Sequence, residues 1–265
     1  MTAATCFDPL TRPTRVDDRR FTVDVPAGWE QGRGAFGGMV VAILARAAEA
    51  AVADPGRTLR SLTAELVGPL LPGPADVAVE ILRAGSGLTA VAARAVQAGE
   101  VQAHAVAAFG RPRAAYERAP SIAPPAMPPW REVAPAPVGP PHAPTFTQHV
   151  EYRPVAAPRV AGAPVTGGWI RLRDPGAARD AIHTAALIDG WWPALDDGVP
   201  TRPLATFAYS FQAVAGTAGL DPDAPLFYRG RILAGGDGYA VELRELWGED
   251  GRLVALNQQT IVVIR

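Results

Sequence analysis

One aspartate of the sequence lies in a setting that suits chemistry on a bound molecule. Asp189 follows Leu187 and Ile188 and is followed closely by Trp191 and Trp192, so large apolar side chains flank its carboxylate. Carboxylates in such surroundings often belong to functional sites, where they activate water or carry a proton. The structural alternative is an aspartate at the end of a helix that faces solvent.

Two further polar candidates lie on predicted strands. Thr206 is near the start of an apolar segment at 204–213, where a β-branched residue is ordinary and indicates little by itself. Gln258 and Gln259 are adjacent in the apolar segment 253–264. Because side chains alternate along a strand, these two amides point to opposite faces, and one that faces inward needs hydrogen-bond partners.

Other kinds of catalytic site are not indicated. The sequence has no GxSxG motif, and residues 32–38 lack the lysine that closes a phosphate-binding loop. His183 lies six positions before Asp189, and this spacing does not indicate a catalytic pair. We expect His183 to lie on a helix surface. The histidines have no metal-ligand spacing, so we expect neither a metal nor a cofactor; they are His104, His142, His149 and His183.

Composition limits the class of protein. Of 265 residues, 48% are hydrophobic and 19% are charged, and the net charge of −1 gives no basis for binding nucleic acid. Cys6 is the single cysteine, so no internal disulfide can form and a cytoplasmic location is expected. The longest apolar helix, at 39–52, contains Arg46 and Glu49 and is too short to cross a membrane. We see no signal peptide at the N-terminus.

A proline-rich stretch divides the chain. Residues 111–147 contain eleven prolines, which prevent both a continuous helix and a central strand, and the stretch is expected to be an extended connector. We therefore predict an N-terminal unit at 1–112, a linker at 113–146 and a C-terminal unit at 147–265.

The two units repeat one order of elements. The first has predicted strands at 20–25, 59–67, 76–84, 88–97 and 101–109, and a nearly all-apolar helix at 39–52. The second has predicted strands at 148–152, 168–173, 204–213, 226–233, 239–247 and 253–264, and a helix at 177–192. The turn at 85–88 also matches the turn at 236–239. This order indicates a tandem duplication of an α+β unit in which an antiparallel sheet wraps a buried helix, a double hot-dog fold.

Several segments resemble a known family. Phe36-Gly37-Gly38-Met39-Val40-Val41 and the segment RSLTAELVGP at 60–69 resemble the acyl-CoA thioesterase II family of double hot-dog proteins. The segments GWIRLR at 168–173 and LWGEDGRLVA at 246–255 are similar to thioesterase-like proteins more broadly. The resemblance implies hydrolysis of an acyl thioester, delivered by CoA or by a carrier protein, in a chain that is a monomer or a homo-oligomer.

The resemblance also implies which residues do the chemistry. In that family an Asp, a Thr and a Gln of the second hot-dog unit activate the attacking water. The matching positions here are Asp189, Thr206 and, counted from the Val-Ala pair at 254–255, Gln259 rather than Gln258. Ser210 also follows Thr206 as in the family. The stretch at 207–209 lacks the acidic and histidine residues of the family, which leaves open a remodelled protein that binds an acyl thioester or a small apolar ligand without turnover.

The first unit has fewer candidates. Residues 43–46 of its helix contain no acid, Ala107 stands where the second unit has Gln259, and Glu49 is expected on the helix surface or against the linker. Phe36, Gly37 and Gly38 could offer backbone amides to a substrate carbonyl at the helix N-terminus, or could be a plain tight turn. Together with Trp191 we take these three residues as candidates for substrate binding.

Overall fold

The computed structural model describes residues 6–113, 122–155, 165–176, 179–195, 203–217, 220–221 and 223–264. The first half begins with a short helix and ends with four long strands. Its elements are α1 (Phe7–Leu10), β1 (Thr14–Arg15), β2 (Arg20–Val25), β3 (Glu30–Gln31), β4 (Gly34–Ala35), α2 (Gly37–Val52), β5 (Thr58–Leu66), β6 (Gly73–Ala84), β7 (Leu88–Gln97) and β8 (Glu100–Gly110).

The second half follows two 3₁₀ turns, Trp130–Glu132 and Thr145–His149. Its elements are β9 (Val150–Pro154), β10 (Val165–Leu172), α3 (Ala181–Leu187), β11 (Leu204–Ala213), β12 (Leu226–Gly236), β13 (Tyr239–Trp247) and β14 (Leu253–Val263).

One antiparallel sheet runs through both halves. Its twelve strands have the order β1-β2-β6-β7-β8-β5-β11-β14-β13-β12-β10-β9. The order β2-β6-β7-β8-β5 in the first half is mirrored by β10-β12-β13-β14-β11 in the second, and the halves join where Ser61–Glu65 pair with Ala208–Gln212. The predicted double hot-dog fold is therefore confirmed.

Helix α2 is the centre of the core. Every residue from Gly38 to Ala48 is buried, as expected for a helix that the sheet covers on most sides. Arg46 is the charged exception, and it pairs with Asp8 and Glu49 at 2.9 Å and with Asp180 at 2.6 Å. These ion pairs connect α1, α2 and the start of α3.

Helix α3 is much shorter than predicted. The prediction of a helix over 177–192 is wrong at its C-terminal end, because α3 stops at Leu187 and a turn follows through Gly190. Asp180 caps the helix by accepting a hydrogen bond from the His183 amide at 2.8 Å. Residues 177 and 178 lie outside the described residues. Asp189 is thus part of a turn after the helix and not of the helix itself.

The described part of the linker is packed against the second half. Met127, Trp130 and Val133 contact a small apolar cluster on the outer face of the C-terminal sheet, formed by Trp169, Phe227, Trp247 and Leu253. Hydrogen bonds hold this packing, from Trp169 Nε1 to the Pro128 carbonyl and from Arg153 to the Trp130 and Val133 carbonyls, all at 2.9 Å. The linker therefore covers one sheet face instead of spanning open space. Within the described residues, no helix is long and apolar enough to cross a membrane.

Candidate active site

Asp189 is held by donors from three distant parts of the chain. Its Oδ2 accepts a hydrogen bond from the Gly38 amide at 2.8 Å, and its Oδ1 accepts bonds from Gln259 Nε2 at 2.7 Å and from Arg244 Nη1 at 3.3 Å. The residue is 7% exposed. All three partners are hydrogen-bond donors, and an ionised carboxylate only accepts hydrogen bonds, so the partners match it.

Gln259 connects Asp189 to Thr206. Its side chain is fully buried on β14, whereas Gln258 is exposed, in keeping with strand alternation. Thr206 Oγ1 donates to Gln259 Oε1 at 2.7 Å, and Gln259 Nε2 also donates to Asn257 Oδ1 at 2.9 Å. Asn257 in turn donates to the Ser210 carbonyl at 2.9 Å. Every polar atom of the Gln259 amide therefore has a partner, and the amide orientation is fixed.

A β-bulge turns Thr206 towards this network. Tyr209 and Phe211 of β11 face the core, so strict alternation would send Thr206 to the opposite face of the sheet. The register between β11 and β14 shifts between Thr206 and Ala208, which adds one residue at Phe207 and reverses the alternation. Phe207 is left 44% exposed, and Thr206 reaches Gln259.

Two charged residues of β13 lie beneath Asp189. Arg244 Nε donates to Glu242 Oε2 at 2.7 Å, and Glu242 Oε1 accepts from the Ala194 amide at 2.8 Å. Both side chains are almost completely buried. Burial disfavours the Arg244 charge, but the negative charges of Glu242 and Asp189 outweigh this and raise the pKa of Arg244. Arg244 therefore stays charged and bridges two buried carboxylates.

The network contains residues that the sequence argument missed, namely Glu242, Arg244 and Asn257. Glu242 and Arg244 share a strand face with Ala240 and Leu246, all of them buried. Strand alternation in the sequence favours the opposite assignment, because Tyr239, Val241 and Leu243 make the other face the more apolar one. Asn257 shares a face with Gln259, two positions away, and the alternation argument used for Gln259 would have selected it.

Two tyrosines fix the turn that carries Asp189. The Tyr209 hydroxyl donates to the Ala185 carbonyl before the turn, and the Tyr152 hydroxyl donates to the Gly190 carbonyl after it at 2.7 Å. Burial, followed by the nearby Asp189 charge, raises the pKa of both phenols well above the ordinary value. Both phenols stay protonated and act as donors, so the turn is anchored on each side of Asp189.

Two cavities meet at the network. The first cavity, of about 550 Å³, is lined by Asp189, Arg244, aromatic residues of the second half and the linker segment at 138–147. The second cavity, of about 440 Å³, is lined by Gly37 and Val40 of α2, by the β3–β4 hairpin and by the ends of β5 and β14. They share a wall made of Gln31, Leu204, Ala205 and Thr206. Thr206 therefore borders both cavities.

Family models match both halves of the chain. Residues 25–110 match the acyl-CoA thioesterase N-terminal domain, and residues 118–263 match the acyl-CoA thioesterase C-terminal domain. The chain belongs to the acyl-CoA thioesterase family. It is a thioester hydrolase, as the resemblance of the sequence implied. No curated protein has a sequence that matches this thioesterase.

Solved structures share the fold of this thioesterase over its whole length. A protein from Thermobifida fusca, provisionally called a thioesterase II, is 25% identical with a TM-score of 0.85, and the match covers 99% of this chain and 100% of that one. Acyl-CoA thioesterase II from Mycobacterium marinum is 20% identical with a TM-score of 0.76 over 98% of each chain. A hot-dog protein of unknown function from Alicyclobacillus acidocaldarius is 24% identical with a TM-score of 0.84 over 98% of each chain.

The glycine turn of the thioesterase contacts Asp189 directly. Gly38 gives its amide to the carboxylate, and a Cβ atom on Gly37 would lie 2.7 Å from Asp189 Oδ2. Phe36 is 1% exposed and stacks on Phe146 with ring centroids 4.4 Å apart, so it supports the turn from behind and does not line either cavity.

Trp191, the other residue predicted to bind substrate, lines the first cavity. Its indole donates to Thr166 Oγ1 at 3.0 Å and stacks on Tyr228 with centroids 5.1 Å apart, which makes it a fixed part of the wall. In the first half, Ala107 is buried and apolar, and Glu49 pairs with Arg46 on α2.

His183 is not a surface residue, contrary to the prediction. It is 2% exposed, packs edge-on against Phe7, and neither ring nitrogen has a hydrogen-bond partner in the part of the chain that the structure describes. The helix is covered there by α1, which the sequence pattern did not place. Among the described residues, no group of histidine, cysteine and acidic side chains could hold a metal ion.

Proposed function

We propose that this thioesterase hydrolyses acyl-CoA to a free acid and CoA, with Asp189, Thr206 and Gln259 activating the attacking water. The observation that carries the proposal is the position of Asp189. Its carboxylate lines the first cavity while three donors from α2, β13 and β14 hold it in place. A carboxylate fixed in this way can accept a proton from water without reorganising.

The hydrogen-bond pattern leaves room for a water molecule. Asp189 Oδ2 accepts one hydrogen bond in the described structure, from Gly38, so a second donor can approach it. Thr206 donates its hydroxyl proton to Gln259, which leaves its oxygen lone pairs as acceptors. A water between Asp189 and Thr206 would donate one proton to each, and its own lone pair would face the substrate.

One carboxylate is enough for the whole reaction, because Asp189 both takes up a proton and returns it. Asp189 takes a proton from the water molecule while the water oxygen forms a bond to the thioester carbonyl carbon. The tetrahedral intermediate expels the thiolate by breaking the carbon–sulfur bond, and the thiolate takes the proton back from Asp189. The enzyme ends in its starting state, with one acid and one thiol released.

The backbone of the glycine turn supplies a candidate donor for the developing oxyanion. The Gly38 amide is engaged by Asp189, so it is not the donor that the sequence argument envisaged. The Gly37 amide, at the first position of α2, has no acceptor among the described residues and borders the second cavity. Its position at a helix N-terminus favours a negative charge.

The test is an assay of thiol release on CoA thioesters of increasing acyl length, alongside the same acyl groups on a carrier protein. We expect turnover by the wild-type chain and a loss of about a thousandfold in kcat for Asp189→Asn, which removes the base. Asp237→Asn, in the exposed β12–β13 turn, is the matched control. A fully active Asp189→Asn enzyme would exclude Asp189 as the base. Binding of acyl-CoA without turnover by the wild type would instead favour the remodelled binding protein.

A further inference from the structure

The proposed function leaves open which end of the substrate enters which cavity. Both cavities border Thr206, so they offer separate sites for the acyl group and the CoA arm of a thioester whose carbonyl lies beside Asp189 and Thr206. From the charges and wall chemistry of the two cavities we propose that the acyl group occupies the first cavity, against the linker, and that the CoA arm leaves through the second cavity, where Arg33 binds a phosphate.

The charges of the first cavity disfavour a phosphate. Asp189 and Arg244 line it, and Arg244 is already paired with both Asp189 and the buried Glu242 behind it. One guanidinium is thus shared by two carboxylates, and the cluster has an excess of negative charge. A phosphate group brought into this cavity would meet like charge in surroundings of low dielectric, where such repulsion is strong.

The walls of the first cavity suit an apolar group. Trp191, Trp192 and Tyr152 form one side, with Trp191 and Trp192 packed at a centroid distance of 4.5 Å. The linker forms another side through Val138 and Phe146, among others. Burial of an acyl chain against such surfaces contributes roughly 0.8 kcal/mol per methylene.

The linker wall is fixed in position by both halves. Phe146 stacks on Phe36 of the first half. The 3₁₀ turn Thr145–His149, which contains Phe146, is tied to the Gly28 carbonyl by Gln148 Nε2 at 3.1 Å and by His149 Nε2 at 2.9 Å. On its other side the linker bonds to Tyr152 of β9 through the Ala136 amide at 2.8 Å. A wall held at both ends limits the size of the acyl group that fits.

The second cavity has the opposite charge. Among its described lining residues, Arg33 is the charged one, and its guanidinium is exposed without an ion pair among the described residues. CoA carries phosphates on both its diphosphate and its ribose, and arginine binds such groups with charge-assisted hydrogen bonds.

Arg33 is presented by a rigid hairpin. The β3–β4 hairpin is bonded to the segment before β6, from the Ala35 amide to the Leu70 carbonyl at 2.8 Å. Gly34 lies so close to Leu70 that an added Cβ would be 2.9 Å from its backbone. The backbone of Arg33 is therefore held at the edge of the second cavity, and only its side chain must be ordered by a phosphate.

The first experiment compares one acyl group on CoA with the same acyl group on N-acetylcysteamine, which has no phosphate. We expect Arg33→Ala to raise KM for the CoA thioester about five- to tenfold and to leave kcat nearly unchanged, because one exposed charge-assisted contact to a phosphate is lost. The truncated thioester should be hydrolysed as by the wild type. Arg83→Ala, an exposed arginine on β6 away from both cavities, is the control. An equal effect of Arg33→Ala on both thioesters, or no effect on either, would overturn the assignment of Arg33.

The second experiment fills each cavity separately. Val138 and Val262 are half-buried valines in the walls of the first and second cavity, respectively. We expect Val138→Phe to lower kcat/KM progressively as the acyl chain lengthens, and Val262→Phe to lower it by the same factor for every chain length. The reverse pattern would mean that the substrate is threaded in the opposite direction.

A third measurement separates this inference from the proposed function. Binding of CoA and of pantetheine, measured by calorimetry, needs no turnover. Arg33→Ala should weaken CoA about five- to tenfold and leave pantetheine unchanged. If Arg33→Ala weakens CoA binding in this way but the wild-type protein hydrolyses no thioester, the proposed function is refuted and the assignment of Arg33 to a phosphate is supported. Unchanged CoA affinity in an active enzyme would refute the site alone.

Discussion

Asp189 Oδ2 accepts a hydrogen bond from the Gly38 amide at 2.8 Å, across 151 positions of sequence. The carboxylate comes from the turn after α3 of the second half, and the amide comes from the first turn of α2 in the first half. The two halves therefore build one site between them. The first half has no acid of its own there, but its helix N-terminus supplies a positive partial charge to the carboxylate of the second.

Alanine at Gly37 and at Gly38 should have different consequences. On Gly37, a Cβ would lie 2.7 Å from Asp189 Oδ2 and 2.9 Å from Leu66 Cδ1, both side-chain atoms that can shift. Gly37→Ala should therefore fold but lose at least about tenfold in kcat, because the carboxylate is displaced. On Gly38, a Cβ would lie 2.4 Å from the Ala186 carbonyl oxygen. Gly38→Ala should lower the free energy of unfolding by about 3 kcal/mol.

Thermal melts and steady-state kinetics on the two variants check this contrast. Gly236→Ala is the control, because an added Cβ there meets no atom within 4 Å and should change neither property. A Gly37→Ala enzyme with wild-type kcat would show that the carboxylate position tolerates displacement.

The Thr206 hydroxyl should matter more than the Thr206 methyl group. Thr206→Val keeps the shape and removes the donor to Gln259 Oε1, which leaves a buried amide oxygen unpaired. We expect kcat to fall about tenfold or more, whereas Thr206→Ser, which keeps the hydroxyl, should stay within about threefold of the wild type. Comparison of kcat for the two variants on one acyl-CoA shows whether the hydroxyl or the methyl group of Thr206 matters more. Equal losses would indicate that the methyl packing, and not the hydrogen bond, is what the site needs.

Removal of Arg244 should destabilise the whole fold. Arg244→Met leaves Glu242 and Asp189 buried with no cation between them, and the free energy of unfolding should fall by about 3–5 kcal/mol. Addition of Glu242→Gln to this variant should recover part of the loss, because one of the unpaired charges is removed. Arg20→Met, at an exposed pair with Asp17, should change stability by less than about 0.5 kcal/mol. Urea denaturation of the four proteins gives the comparison, and a stable Arg244→Met protein would contradict the argument.

The sequence predicted most of the fold because hydrophobic periodicity and turns are local signals. Strands β2, β7, β11 and β13 have the predicted bounds, and the duplication follows from the order of elements. The end of α3 was not predictable in the same way. The mostly apolar segment at 185–192 is compatible with either a buried helix or a buried turn. Tertiary hydrogen bonds from Tyr152 and Tyr209 stabilise the turn.

The site was only partly predictable for a similar reason. Asp189 and Gln259 could be selected from their apolar neighbours and from the family resemblance, and the structure brings them into contact. The bulge at Phe207, which turns Thr206 to the same face, depends on pairing with β14 and has no signature of its own in the sequence. Arg244 and Glu242 resemble exposed strand residues until the register assigns them to the buried face.

The buried His183 should make the stability of the protein depend on pH. Burial, and then the charge of Arg179, lowers the pKa of His183 to about 4. An unfolded chain has a histidine pKa of about 6.5. Between these two values the unfolded chain binds a proton that the folded chain does not, so protonation favours unfolding. Stability should therefore be unaffected by His183 above about pH 6.5 and should fall as the pH is lowered from about 6.5 towards 4, by up to about 1.4 kcal/mol per pH unit.

Urea denaturation at about pH 7.5, 6 and 5 measures this slope. His183→Leu replaces the ring with an apolar side chain of similar size in a site lined by Phe7, and it should lose the His183 part of the slope. His104→Ala, which removes a histidine whose side chain is 40% exposed, is the control variant. Because the comparison concerns slopes, a constant change in stability from repacking at either position does not affect it. An unaltered slope in His183→Leu would mean that His183 takes up its proton in the folded state as readily as in the unfolded chain.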